Sequence, residues 1–206
     1  MATDGGSGAG RLKPDFEVSS TVQVGNDAEL REALAGGGPV RLAGTGSQQQ
    51  LVPAPAAKVR MVGVGSMNRI LRLEVDDLTC TVEAGVRRDA LDAALAENRL
   101  QLPCAGGGSV GGLFAADPHG PLGPGMHSPR SLLLGFEGML AEGLSFKAGA
   151  RVVKSVAGFD LQKLFVGSQG RLFAVTRLHL KLRPAPRHQV ERPRTTRQQL
   201  ESPRQQ

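Results

Sequence analysis

The chain has 206 residues, 40% of them apolar, with 28 Gly, 13 Pro and neither Trp nor Tyr. That composition supports one folded core, divided at most between two lobes, and excludes a collagen-like or wholly disordered chain. The formal net charge of +6 does not indicate a nucleic-acid binder, because half of the excess lies in the polar stretch from Arg187 onward and the remainder lacks an aromatic-plus-basic platform.

Residues 1–17 are Gly-rich and polar, without the apolar core of a secretory signal, and read as a disordered leader. Thr21 to Val24 reads as a short strand. Asn26 and Asp27 then cap a helix through Ala35, with Leu30 and Leu34 on one face and Gly36, Gly37 and Gly38 closing it. Val40 to Ala43 is a second strand that runs directly into the loop GTGSQQQ, whose backbone donors and hydroxyls suit a phosphate. Strands are predicted over 58–64, 69–74 and 78–84. In the last of these Cys80 and Val82 alternate with Thr79, Thr81 and Glu83, the pattern of a strand with one buried face. Asp89 to Ala96 reads as an amphipathic helix, with Leu91, Ala94 and Leu95 on one face and Arg87 and Arg88 exposed before its start. Cys80 and Cys104, in apolar company and without metal-type spacing to the histidines, read as reduced structural thiols of a cytoplasmic protein.

Asn98 and Pro103 bracket a link into the run GGGSVGG, Gly106 to Gly112, which leads into the helix-forming segment 113–116. Prolines 118, 121, 124 and 129 then exclude a long helix, and His119 and His127 read as solvated loop residues. Leu132 to Leu140 and a run near Leu144 to Phe146 read as strands, Arg151 to Val153 as a further edge, and Asp160 to Phe165 as a short helix. Leu172 to Arg183 is predicted to be a half-buried terminal strand, with Leu178, Leu180 and Leu182 facing one way and Arg177, His179, Lys181 and Arg183 the other. The organisation that follows is a first lobe over 18–80, a second over 81–186, and a disordered basic tail over 187–206. No apolar run approaches the roughly 18 residues of a membrane helix, so no membrane span is expected.

The glycine run satisfies more than one motif. As G-x-G-x-x-G from Gly106 it suits a dinucleotide site, which requires a full helix and an acidic residue about 20 positions on; Pro118 cuts the helix, and Ser131 stands near that offset. As G-x-S-x-G from Gly107 it makes Ser109 a nucleophile, which needs a positioned His base; His179 lies on the polar side of a strand instead. The same glycines also serve as plain turn residues. Two glycine-hydroxyl loops, at Gly44 and at Gly106, point to an extended diphosphate held between them.

Four stretches, VRLAGTGSQQQL, NRILRLEVDDLTCTVEAGVRRDALDAALAENRLQLP, GGGSVGGLFAADPHGP and RVVKSVAGFDLQKLFVGSQGRL, come in an order that resembles the flavin-binding domain of the vanillyl-alcohol-oxidase and p-cresol-methylhydroxylase superfamily. Within it the chain is most similar to the E-type, FAD-binding subunits of glycolate oxidase. The resemblance covers roughly Thr21 to Pro186 and implies an α+β fold of two α/β lobes. It implies a non-covalent FAD, since Ser47 and Gln48 stand where some members carry a flavin-linked histidine. It assigns Gly44, Thr45, Gly46, Ser47 and Gln48 to a first diphosphate loop and Gly108, Ser109, Val110, Gly111 and Gly112 to a second. Asp117 is placed near the ribitol or flavin edge, and the Val175 backbone at the adenine end. The chain departs from the family pattern at Asp117 and Ser155, each in place of Asn, at Phe159 in place of Tyr, and at Phe173 in place of a Gly beside the adenine. No cap-like domain follows Pro186, so no catalytic residue and no metal ligand is assigned. The expected role is an FAD-binding subunit or fragment of a 2-hydroxy-acid dehydrogenase or oxidase complex with partner subunits. The alternative is a catalytically inactive remnant that serves as an interaction subunit.

Overall fold

The computed structural model describes residues 17–47, 49, 54, 55, 57–117, 127–151 and 160–186. The expectations for the leader and tail, for Gln48, His119, Ser155 and Phe159, and for the edge strand beyond Arg151 lie outside these residues.

Asn26 opens the first helix as the sequence indicates: its side-chain oxygen accepts from the amides of Ala28 and Glu29, each at 3.0 Å, and Glu29 in turn accepts from the Gly25 amide at 2.7 Å. This reciprocal cap satisfies amides that the helix start leaves without partners. The helix, α1 (Asp27–Ala35), buries Leu30 and Ala33 against a sheet of three parallel-paired strands. These are β1 (Val18–Gln23), β2 (Val40–Ala43) and β3 (Val59–Gly63), in the order β1-β3-β2. Val24, Val62, Val64 and Met67 complete this core, and Met139 and Ala174 enter it from the larger sheet. The two sheets therefore share apolar packing.

The larger sheet is antiparallel throughout, in the order β4-β5-β9-β7-β8. Its strands are β4 (Ile70–Glu74), β5 (Thr79–Glu83), β7 (Leu133–Met139), β8 (Ser145–Gly149) and β9 (Ala174–Lys181). β4, expected in the first lobe, is hydrogen-bonded into this second sheet, so the sheets divide between residues 63 and 70. On the sheet's apolar face lie α2 (Arg88–Ala96), α3 (Val110–Ala116) and the one-turn α4 (Pro129–Leu132), and β6 (Leu100–Gln101) pairs with β10 (Arg183–Pro184) at its margin. Leu91, Leu95, Leu113 and Phe114 from the helices meet Val82, Phe136, Leu178 and Leu180 from the strands in one core.

Two expectations about exposure change. β9 is the last long strand in sequence but lies at the centre of the sheet, between β5 and β7, and on its polar side His179 is buried while Arg177 and Lys181 are half-buried. His179 is only 5% exposed, and β5 is buried at all five positions. The covering material is a charge network. Glu83 pairs with Arg69 at 2.8 Å, while Glu137 binds Arg151 at 2.9 Å, Arg177 at 3.1 Å and Lys147 at 3.2 Å. Strand alternation specifies which residues share a face, and only the sheet order specifies what lies over that face. Arg88, expected to be exposed, is largely covered: its guanidinium binds the carbonyls of Leu102 at 2.7 Å and Cys104 at 2.8 Å and pairs with Asp92 at 2.9 Å.

Candidate functional site

β2 ends at Ala43, and the chain turns through Gly44, Thr45, Gly46 and Ser47 directly against the loop that opens α3. The contact is very close. A Cβ on Gly44 would stand 2.0 Å from Ser109 Oγ, and one on Gly108 2.0 Å from Ser47 Oγ, so each loop admits the other only because of its glycine. Thr45 Oγ1 accepts the Ser109 amide at 3.1 Å and lies 3.2 Å from Ser47 Oγ. Beneath them Gly111 lets α3 rest on the end of β5, where an added Cβ would come within 2.8 Å of Ala84 Cβ and Ala84 O. Two glycine loops from distant parts of the chain are thus fixed as one wall.

A half-open cleft follows that wall. Thr45, Ser47 and Ser109 give it a hydroxyl-bearing end, and Phe165, Phe173 and Val175 give it an apolar end. Of the expected residues, Gly44, Thr45, Gly46, Ser47, Ser109, Gly111, Gly112 and Val175 line the cleft. Gly108 backs the Ser47 side chain, and Val110 is fully buried beneath. Asp117 is not among the lining residues; it ends α3 in the left-handed conformation, with φ 43°.

From Ser109 to Gly112 the second loop uses its backbone donors within the protein. Ser109 N donates to Thr45 Oγ1 at 3.1 Å and Gly112 N to Ser109 Oγ at 3.3 Å, while Val110 N donates to Val86 O and Gly111 N to Ala84 O, both at 2.8 Å. Among the described residues no protein acceptor meets the exposed backbone amides of Thr45, Gly46 and Ser47. An added Cβ on Gly46 would meet nothing within 4 Å. Open amides beside an open surface have the chemistry that suits a phosphate, and the second loop supports the first through the Ser109 amide.

Ser109 does not have the surroundings of a nucleophile. It is 2% exposed and caps α3, while His179 lies on β9 with its Nδ1 3.0 Å from Thr81 Oγ1. Burial and the nearby Arg151 push the His179 imidazole down to about 4. No grouping of three or more metal-ligating side chains occurs among the described residues.

The contributions of Gln49, Arg41 and Arg88 were not marked in the sequence. Gln49 lines the cleft and is clamped by Arg41, whose Nε donates to Gln49 Oε1 at 2.6 Å. Nothing in the run of three glutamines singles out Gln49. Burial, then the charge of Arg171, lowers the pKa of Arg41, so two guanidinium groups sit near this end of the first loop. Arg88, whose backbone amide also donates to Gly108 O at 2.8 Å, anchors the entry to the second loop. Phe173 stacks on Phe136 at 4.9 Å and meets Phe146 edge-on at 5.2 Å, so its ring belongs to an aromatic cluster and forms part of the cleft wall.

Residues 18–149 match the FAD binding domain family. An uncharacterized FAD-linked oxidoreductase of Mycobacterium tuberculosis is 30% identical over 158 residues, covering 75% of this chain and 34% of that protein. The mitochondrial cytochrome-type D-lactate dehydrogenase of Arabidopsis thaliana is 32% identical over 131 residues, 63% of this chain and 23% of its own. Glycolate oxidase subunit GlcE of Escherichia coli is 32% identical over 123 residues, 57% and 35% respectively. The chain therefore spans about a third or less of the length of these relatives.

Proposed function

Because this chain belongs to the FAD binding domain family and takes FAD as its cofactor, we propose that it is the flavin-holding part of a 2-hydroxy-acid oxidase or dehydrogenase of the glycolate and D-lactate type. The observation that carries this reading is the asymmetric pair of loops: one presents open amides at the mouth of a cleft, and the other is locked behind it. In the proposed arrangement Thr45, Gly46 and Ser47 hold the diphosphate without a covalent link. Phe173 and the Val175 strand flank the adenine end. FAD, when bound, supplies the electron-accepting chemistry.

None of the described residues lining the cleft carries an acidic, basic or imidazole side chain. In the proposed reading the proton acceptor for a hydroxy acid lies outside the described cleft lining, as in a partner subunit or a further domain. The same observation supports the second reading, a catalytically inactive chain that keeps the fold and serves as an interaction subunit.

Titration with FAD, followed by quenching of flavin fluorescence and by the visible flavin band, tests the site. Saturable binding is expected at micromolar FAD, and a flavin that stays free at that concentration would overturn the proposal. Glycolate or D-lactate should not bleach the flavin on the isolated chain. Bleaching only after the partner polypeptide is added supports the catalytic reading, and a complete complex that never bleaches supports the inactive one.

A further inference from the structure

Among the described residues β4 is an edge strand, paired on one side only, with β5. Its apolar side chains are unusually open: Ile70 is 37% exposed, and Leu71 and Val75 are each 41% exposed, while Leu73 packs partly against the large core. A free edge with open apolar side chains is a template for another strand. The identity of that strand is written in β4 itself. Laid antiparallel against a second copy about Leu73, Arg72 falls opposite Glu74, a pair that occurs twice around the two-fold axis. Cation meets anion at both positions, the self-complementarity that an isologous interface requires, and Leu71 in the bulge and Val75 just past the strand flank the pair with exposed apolar surface.

The opposite edge offers a contrast. β8, SFKAG, contains a lysine and no carboxylate, so no antiparallel register of the strand against itself gives an opposite-charge pair. The bulge between Ile70 and Arg72 interrupts the upstream end of β4 and leaves the regular register from Arg72 through Glu74. Arg72 and Glu74 already contact one another along their own strand, and their side chains remain 61% and 39% exposed, so both are placed to reach a facing copy.

We propose that two copies of this chain associate through β4, extending the five-stranded sheet across a two-fold axis. The inference does not depend on the flavin reading, since none of these residues lines the cleft. The interface is short, so dissociation in the micromolar range is expected, and sedimentation velocity of the full chain up to ~100 µM is the suitable measurement.

Arg72→Glu sets two carboxylates opposite one another across the axis, and Glu74→Arg sets two guanidinium groups opposite one another. Each should weaken the dimer about tenfold or more and leave far-ultraviolet circular dichroism unchanged. Mixing the two variants is the decisive step, because an all-acidic edge then faces an all-basic one and a mixed dimer should form where neither variant dimerises alone. An effect confined to the strand's own Arg72–Glu74 contact gives no such rescue. A parent chain that stays monomeric at ~100 µM, or variants that do not recombine on mixing, would overturn the proposal.

Discussion

His179 shows how far one side chain departs from what its strand position suggests. Buried on β9, it keeps Thr81 Oγ1 at 3.0 Å from Nδ1; burial above all, then the charges of Arg151, Lys147 and Arg177, disfavour its protonation and outweigh the pull of Glu137. Its folded-state value of about 4 lies below the ordinary 6.5, so the unfolded chain binds the proton more readily between those limits. The associated stability is complete above pH 6.5 and is lost as pH falls towards 4. Urea unfolding of the parent chain should show a loss of up to about 1.4 kcal/mol per pH unit in this window. His179→Gln, which keeps a partner for Thr81 without titrating, should flatten that slope. Glu137 acts at lower pH: burial raises its carboxyl, but the bonds from Arg151 and Lys147 and the charge of Arg177 hold it below its ordinary 4.5, so its contribution is lost only below that value. At Gly111 the constraint is steric, since an added Cβ lands 2.8 Å from the Ala84 backbone oxygen. Gly111→Ala is expected to cost about 1–3 kcal/mol by displacing α3, read as a lowered denaturant midpoint. An unchanged midpoint would show that α3 does not rest on β5 in this way.

Between elements, the informative contact is the one that ties the β2 loop to the start of α3. Thr45→Val removes the acceptor of the buried Ser109 amide, which costs about 1–2 kcal/mol when left unsatisfied. Because the amides of the first loop depend on that tie for their direction, FAD affinity should fall by roughly tenfold as well. Thr45→Ser keeps the hydroxyl and should restore both quantities; a valine variant with parental affinity would mean that the loop holds its shape unaided. The elements themselves were largely legible. The Asn26 cap, the alternation in β5 and β9 and the glycines around 44 and 106 located the helices, the strands and both loops to within a few residues. The use to which each amide is put was not legible, because Ala84 and Val86, which accept from the second loop, are distant in chain order and carry no distinguishing side chain.

At the level of the molecule, the proposed FAD site joins parts of the chain that only folding brings together, so binding and stability are linked. Saturation at about 100 times the dissociation constant should stabilise the chain by about 2.7 kcal/mol. Thermal unfolding with and without FAD measures this, and a melting temperature indifferent to FAD would argue against a ligand held between the sheets. The α+β class, the two glycine-hydroxyl loops and the family were all readable from the linear chain, because local propensity, the spacing of apolar residues and motif order are properties of that chain. Folding in three dimensions added what the chain order leaves open: the last long strand is central, β4 belongs to the larger sheet and, among the described residues, is left open along one edge, and the second loop braces the first, whose amides meet no described acceptor. Each of these depends on which distant backbone supplies a hydrogen-bond partner, and strand alternation is compatible with several such choices.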